Sequence, residues 1–470
     1  MSKYYRQHPI TIVTGVFSEL KSYIVPLFIF LVLRSLGEES GTFFDRWFVI
    51  FILVTIGFSL IFGFLKWYFF RFSYQSESVE IHSGVFIKKH RSIKRNRIHT
   101  INLEANLIWQ ALNLVSLNIE TPGNLGESEV KISAIPLSLA TDLRETLNEN
   151  NETNDIEHSA NKKVKLDTLT LLKAGATSGS VGIVFAFIFA LIGQLLAFIP
   201  ERIFELLAQF FTQTDFVVII ILFVLGLIVS WLVSVVRYTL RYANFTLNEY
   251  DDYLEIHRGL FIKRHLTVKL SRIQAVTIVE GLIRQPFQLS TIELKVAGGA
   301  SESTENVVIH PLIKSTKIPQ FLSDLLPEYT LPDTYEKVPK RALRRYLFRA
   351  SVPILLALGF IFINPFFIGV LTLLAIFSLT LGYLRYKDAG MSISENSLSL
   401  RSRRIAKTTA LIPKSHIQSY EMITNPFQRF KKLKTLGVWV MASPSPASFK
   451  VKDLDHVQSQ ELYTWLSKTS

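Results

Sequence analysis

The chain has 470 residues, 49% of them hydrophobic, with 36 Phe, no Cys and a formal net charge of +13. So oily a composition excludes an ordinary water-surrounded domain and directs attention to membrane spans, and the lack of cysteine excludes a disulfide framework and thiol chemistry and fits a reducing compartment. The basic excess is expected to flank membrane spans rather than to bind nucleic acid, because the bases lack interleaved aromatics and lie beside apolar runs.

Six apolar runs are predicted to cross a bilayer, which takes ~20 residues of helix. Tyr23–Leu36 is short and carries Arg34, placed to snorkel to the interface. Trp47–Tyr68, Gly179–Ile199 and Phe216–Val236 are long and apolar. Arg349–Ile363 and Phe366–Tyr383 flank Asn364-Pro365, a breaker pair suited to a tight turn. The runs pair into three hairpins. Acids gather at two hairpin tips (Glu38, Glu39 and Asp45; Glu201, Glu205 and Asp215), and bases gather at the other ends, among them Lys66, Arg71, Arg237, Arg241, Arg341, Arg344, Arg345, Arg349, Arg385 and Lys387. The positive-inside rule then puts both termini and every large polar segment in the cytoplasm, with the chain multi-pass in the membrane. The N-terminal MSKYYRQHPITIVTG carries no signal-peptide cleavage pattern. In GATSGSVG, Gly175, Gly179 and Gly182 lack the lysine and preceding strand of a phosphate loop, so close helix packing is their expected role.

Between the hairpins one line is written twice. IHSGVFIKKHRSIKRNRI (81–98) returns as IHRGLFIKRHLTVKLSRI (256–273). From Glu80 to Ile98, 11 of 19 positions recur 175 residues later, including His82, Gly84, Phe86, Lys88, His90 and Arg97. A weaker third copy follows a further 144 residues on, where HIQSYEMITNPFQRFKKLKTLGVWV (416–440) overlays RIQAVTIVEGLIRQPFQLSTIELKV. The repeat points are Gly84 and Gly259, the Ile98, Ile273 and Ile417 series, and Asn425-Pro426-Phe427-Gln428. Each copy is expected to open as a β-hairpin. A three-residue loop with Gly84 in the left-handed position would set Ile81 opposite Val85 and Val79 opposite Ile87 on one buried face; Leu254, Ile256, Leu260 and Ile262 obey the same rule. In the third copy Arg403 replaces the glycine, so that turn differs. Alternating runs follow at Thr100–Leu103, Val115–Glu120 and Glu129–Ser133, and each copy ends in a helix-like stretch: Ser138–Leu147, Thr316–Leu326 and Val457–Leu466. Short strands closed by one amphipathic helix fit a small capped barrel or an open sheet with a packed helix. The predicted organisation is hairpin 23–68, domain 69–148, polar linker 149–165, hairpin 166–240, domain 241–327, linker 328–345, hairpin 346–386 and domain 387–470. The linker Asn148–Lys163 has the composition of a disordered segment.

The run of basic hairpin, RIQxV, NPFQR, LxTLxV and closing helix resembles the bacterial PH-like domains once called DUF304 (bPH2). A chain with three such domains, each behind a two-helix hairpin, is similar to the YdbT family of bacterial membrane proteins. The resemblance covers almost the whole chain and implies an α+β PH-like barrel capped by a C-terminal helix. It also implies a companion, a smaller membrane protein with one hairpin and one such domain, a link to bacteriocin tolerance, and no catalytic residue or cofactor. The first copy departs from the pattern with Asn106-Leu107-Ile108-Trp109 and the second with Gly281-Leu282-Ile283-Arg284.

The candidate surface is basic. Lys88, Lys89, Arg91, Lys94, Arg95 and Arg97 stand together without an acid; the second copy keeps Lys263, Arg264, Lys269 and Arg272; the third has Arg401, Arg403, Arg404, Lys407 and Lys414. Near an anionic leaflet each charge gains roughly 1 kcal/mol, falling off within a Debye length, so these segments either meet phospholipid heads or form a solvated face that enforces topology. His82, His90 and their copies His257 and His265 are expected on the surface or partly packed rather than as metal ligands. Gln194, Arg34 and Ser230 lie in or near spans without forming a relay. No metalloprotease helix, nucleophile elbow or P-loop is present. The expected function is a non-enzymatic membrane scaffold; the alternative is export of a peptide or lipid through the spans.

Overall fold

A computed structural model describes residues 4–16, 42–75, 77–98, 100–120, 130–148, 161–179, 182, 184–188, 190, 205, 209, 216–297, 306–359, 367–442 and 445–467. The predicted spans Tyr23–Leu36 and Gly179–Ile199 fall wholly or largely outside these residues, as does most of the first linker. The contacts divide the chain into two compact units, Met1–Ser159 with Phe261–Thr267, and Ala160–Leu260 with Val268–Ser470.

The first unit holds helix α1 (Thr42–Phe69) and a three-stranded antiparallel sheet of β1 (Arg71–Tyr74), β2 (Ser78–Ser83) and β3 (Lys89–Lys94). Strand β4 (Thr100–Ala105), the short helix α2 (Leu107–Ala111), β5 (Leu114–Glu120), β6 (Val130–Pro136) and the closing helix α3 (Leu137–Asn148) follow. Alternation sends Phe72, Val79, Ile81, Ile93, Leu117, Ile119 and Ile132 inward, and α3 adds Ala140 and Leu143 to the same core. The expected strand register needs correction. Val79 pairs with Ile93 and Ile81 with Arg91, so the loop runs from Gly84 to Lys88 and Ile87 is 74% exposed. The second copy behaves alike, with Leu254 and Ile256 buried but Leu260 and Ile262 exposed. Glycine is still required there: at Gly84, φ is +102° and an added Cβ would lie 1.9 Å from the Ile87 carbonyl oxygen.

The second unit begins with β7 (Lys162–Lys165) and α4 (Thr168–Ala176), then α5 (Phe216–Tyr242), β8 (Thr246–Glu249), β9 (Tyr253–Arg258), β10 (Lys263–Lys269, its first part in the first unit), β11 (Ile273–Glu280), β12 (Leu289–Val296), β13 (Val307–Lys314) and α6 (Ile318–Leu325). It continues with β14 (Glu336–Lys337), α7 (Leu343–Ala357), α8 (Phe367–Asp388), β15 (Gly390–Ile393), β16 (Ser397–Arg403), β17 (Lys407–Pro413), β18 (Ile417–Ile423), α9 (Pro426–Arg429), β19 (Leu433–Val440), β20 (Ala447–Asp455) and α10 (His456–Ser467). Two helices are long and apolar enough to cross a bilayer, Ile221–Tyr242 and Ile368–Asp388, and Leu53–Phe69 is a shorter apolar helix. Among the described residues, only two of the six expected spans, Phe216–Val236 and Phe366–Tyr383, coincide with such helices; Leu53–Phe69 lies in Trp47–Tyr68, and α7 covers only the first part of Arg349–Ile363. The two long helices carry exposed Ile221, Leu225, Leu232, Leu373 and Ile376, a surface that water would not tolerate in one patch.

The sheets do not stop at the repeat boundaries. A seven-stranded sheet runs β13-β12-β11-β17-β16-β15-β14, so β11 of the second copy pairs antiparallel with β17 of the third from Val276–Leu411 to Glu280–Lys407. In the first unit, Lys263–His265 pair with Ala105–Leu103 in the equivalent register. Segments ahead of α1, α5 and α8 also join the sheets that follow those helices: Tyr5 bridges Phe72, β7 pairs with β8, and β14 pairs with β15. Closure of each copy into a separate barrel is not among these pairings. The repeat shows in backbone conformation as well. Asn113, Gln288 and Lys432, at equivalent positions ahead of β5, β12 and β19, all hold the left-handed region at φ +54°, +54° and +51°.

Candidate functional site

In the described tips of the three basic hairpins, each is fastened to the end of its membrane helix. Phe86 packs against Phe62 of α1 with ring centroids 5.8 Å apart. In the second copy, the Gly259 N–H donates to the Ala243 carbonyl (2.8 Å) and the Leu260 N–H to the Leu240 carbonyl at the end of α5 (3.0 Å). In the third, Arg385 of α8 donates to the Arg404 carbonyl (2.9 Å), and Arg403 pairs with Asp388. Apolar side chains crown these tips: Phe86 is 83% exposed, Phe261, Ile262 and Ile405 about half.

The predicted basic residues divide by use. Lys88, Lys89, Arg91, Lys94, Arg97, Lys263, Lys269 and Arg404 are exposed, and Arg272 is half-buried. The rest make contacts within the chain. Arg95 donates to the Leu147 carbonyl at the end of α3 (3.0 Å). Arg264 pairs with Glu104 (3.4 Å) and Lys407 with Glu280 (3.0 Å). Buried Arg403 also donates to Gln285 (2.7 Å) and the Ile405 carbonyl, Arg401 stacks on the Tyr335 ring at 3.6 Å, and Lys414 sits 5.1 Å over Trp465. Glu104 and Glu280 carry no local signal, since each comes from a strand of another repeat copy, whereas Asp388 stands at the end of α8 close before Arg403.

A cavity of about 310 Å³ lies under the first tip, lined by Arg71, His82, Lys88, Lys89 and His90. Cross-strand pairing brings His82 and His90 to a ring separation of 4.3 Å, and Glu80 joins them with ligand atoms all within 4.8 Å. Histidines and one carboxylate are a metal-type donor set, but Arg71, Lys88 and Lys89 around the same space make its field positive and favour an anion.

One repeat position docks each domain on the helix that precedes it. Trp109, Arg284 and Gln428 are equivalent. Trp109 packs with Leu114, Ala134 and Ile10, on the helical turns 10–16. Arg284 donates to the Ala174 carbonyl (2.9 Å) and Thr177 (3.3 Å) at the end of α4, and to Thr291. Gln428 is buried and donates to Thr435 and Asp453, both at 2.8 Å; Asn425 and Gln428 close a capping box around α9. Asp453, wholly buried, takes Arg345 at 3.0 Å and also Arg349, both from α7. Three chemistries at one position hide this docking role from a sequence comparison. Pro426 starts α9, and Phe427 is 75% exposed beside it. Ile98 is half-buried, Ile273 is fully buried and Ile417 is half-buried at the start of β18. Of the glycines expected to pack helices, Gly175 does so, with an added Cβ only 3.0 Å from the Val235 carbonyl, while Gly179 and Gly182 meet nothing within 4 Å. Ser230 bonds the Gly226 carbonyl of its own helix (2.8 Å); Gln194 and Arg34 lie outside the described residues.

Joined antiparallel sheets, closing helices and long apolar helices, recurring along one chain, define a membrane protein with repeated PH-like domains. The family described as bacterial PH domain (bPH_2) matches residues 21–151, 182–324 and 352–470, and the chain belongs to it. The chain is 30% identical over 499 aligned positions, covering 99% of each protein, to the UPF0699 transmembrane protein YdbT of Bacillus subtilis (strain 168).

Proposed function

We propose that the protein is a non-catalytic membrane scaffold. Six spans in three hairpins hold three PH-like modules on the cytoplasmic side, where apolar-basic tips enter the headgroup layer and strand edges bind a partner of the same family, such as a smaller protein with one such domain. The observation that supports this is the fastening of the tips to the apolar helices α1, α5 and α8, with Phe86, Phe261 and Ile405 exposed on them. Exposed Lys88 and Lys89 beside Phe86 and Ile87 combine apolar insertion with attraction to anionic lipid, each charge adding roughly 1 kcal/mol. The positive cavity at Arg71 and Lys88 suits a phosphate-bearing head. A scaffold of this kind shields the membrane against pore-forming peptides by bracing the inner leaflet.

The chain has no native cysteine, so one introduced residue reports cleanly. A polarity-sensitive fluorophore on Phe86→Cys should shift to the blue in nanodiscs of phosphatidylglycerol relative to phosphatidylcholine. A water-like spectrum in both rejects leaflet contact. Unchanged sensitivity to membrane-active bacteriocins after gene deletion rejects the protective role.

A further inference from the structure

Among the described residues, β3 and β18 end their sheets, each with one edge unpaired by any strand. They are the first-copy and third-copy equivalents of strands that pair elsewhere. β3 corresponds to β10 and β17, and β18 to β4 and β11. The two pairings already present share one register: Lys263 stands opposite Ala105, and their repeat equivalents Lys407 and Glu280 stand opposite each other. Each carries an acid on the β4-type strand and a base on the β10-type strand, Glu104 with Arg264 and Glu280 with Lys407.

We propose that β18 of one molecule pairs with β3 of a second copy of this chain, continuing the sheet head-to-tail between molecules. This rests on the scaffold reading and names its partner. Carrying the shared register over sets Glu421 opposite Arg91, Met422 opposite His90, and Ile423 opposite Lys89. Glu421 and Arg91 are both exposed, and the acid again lies on the β18 side and the base on the β3 side. Val276 and Ala410 are buried, while their equivalents Tyr420 and Arg91 are exposed. β3 starts, like β17, at a tip fastened to an apolar helix. An exposed strand edge is a template for another strand, and confinement to one membrane raises the effective concentration of the two edges. The contact is heterologous, so it extends until a rotation closes it.

Two differently tagged full-length chains are co-expressed, one with Glu421→Cys and the other with Arg91→Cys, or Met422→Cys with His90→Cys. Adjacent cross-strand pairs alternate between bonded and non-bonded geometry, so one of the two suits a disulfide. Mild oxidation of native membranes should yield a mixed-tag dimer from at least one pair, and at least fivefold less from the out-of-register pair Glu421→Cys with Lys94→Cys. Glu421→Lys should lower the yield and Arg91→Glu in the other chain should restore it. The equivalent intramolecular pairs, Thr277→Cys with Ala410→Cys and Ile278→Cys with Thr409→Cys, are the positive control. Closure of either control without any mixed-tag dimer overturns the proposal, as does capture of a different polypeptide in its place. Failure of leaflet contact shows in the Phe86→Cys fluorescence and leaves the cross-link yield unchanged, so the two readings fail separately.

Discussion

Asp453 is wholly buried at φ +60°, bonded to Gln428 and paired with Arg345 and Arg349. A buried charge that loses its partner costs about 3–5 kcal/mol, and the partial exposure of both arginines lowers that figure. Asp453→Asn keeps the shape and tolerates the left-handed backbone, so its effect reports the charge. It should destabilise the third domain by about 2–3 kcal/mol, seen as faster proteolysis of residues 390–467 in detergent. His310 gives a pH signature. Burial holds its pKa down at about 4, below the unfolded value of 6.5, and its ring packs edge-on against Phe321. The unfolded chain therefore binds the proton first, and stability falls as pH drops from 6.5 to 4, by on the order of 3 kcal/mol. His310→Phe should flatten the fall in melting temperature across that window. Neither residue stood out in the sequence. Asp453 looks like any acid in a polar strand, and the arginines that hold it read as topology signals.

At the scale of elements, the closing helices were legible to within a residue or two, because an amphipathic period over three turns is strong. The strands were legible too, since alternation survives in Ile101, Leu103, Leu117 and Ile119. The hairpin loop was misread because Val85 and Ile87 continue the alternation past the point where Gly84 has already turned the chain. The joining of sheets was invisible: an edge strand carries the same pattern whether or not another strand lies beside it. That junction is testable. Glu280→Lys puts like charges opposite Lys407, and a cross-strand pair is worth about 0.2–1 kcal/mol. Amide exchange in residues 407–411 should rise several-fold, and adding Lys407→Glu should restore protection. The hairpin of α7 and α8 rests on Gly382, where an added Cβ would lie 2.6 Å from that of Ala350. Gly382→Leu should force the helices apart and lower the melting temperature in detergent, since Cβ groups replace a backbone contact.

For the whole molecule, the oily composition led to the membrane and the repeat led to the family, and both came from global counts rather than any single motif. Orientation is tested by maleimide accessibility in intact cells: a membrane-impermeant reagent should leave Lys89→Cys unlabelled until the cells are opened, and prompt labelling rejects a cytoplasmic placement. One feature of the threading reaches further, into how the chain is made. Tyr5, β7 and β14 each precede a long apolar helix (α1, α5 and α8) and find their mates only beyond it, at Phe72, β8 and β15. During synthesis the first half of each pair leaves the ribosome tens of residues ahead of the second, with apolar helix between. On the proposed topology the fold is stitched through the bilayer, and every completed stitch reports that the loop before it has gone in.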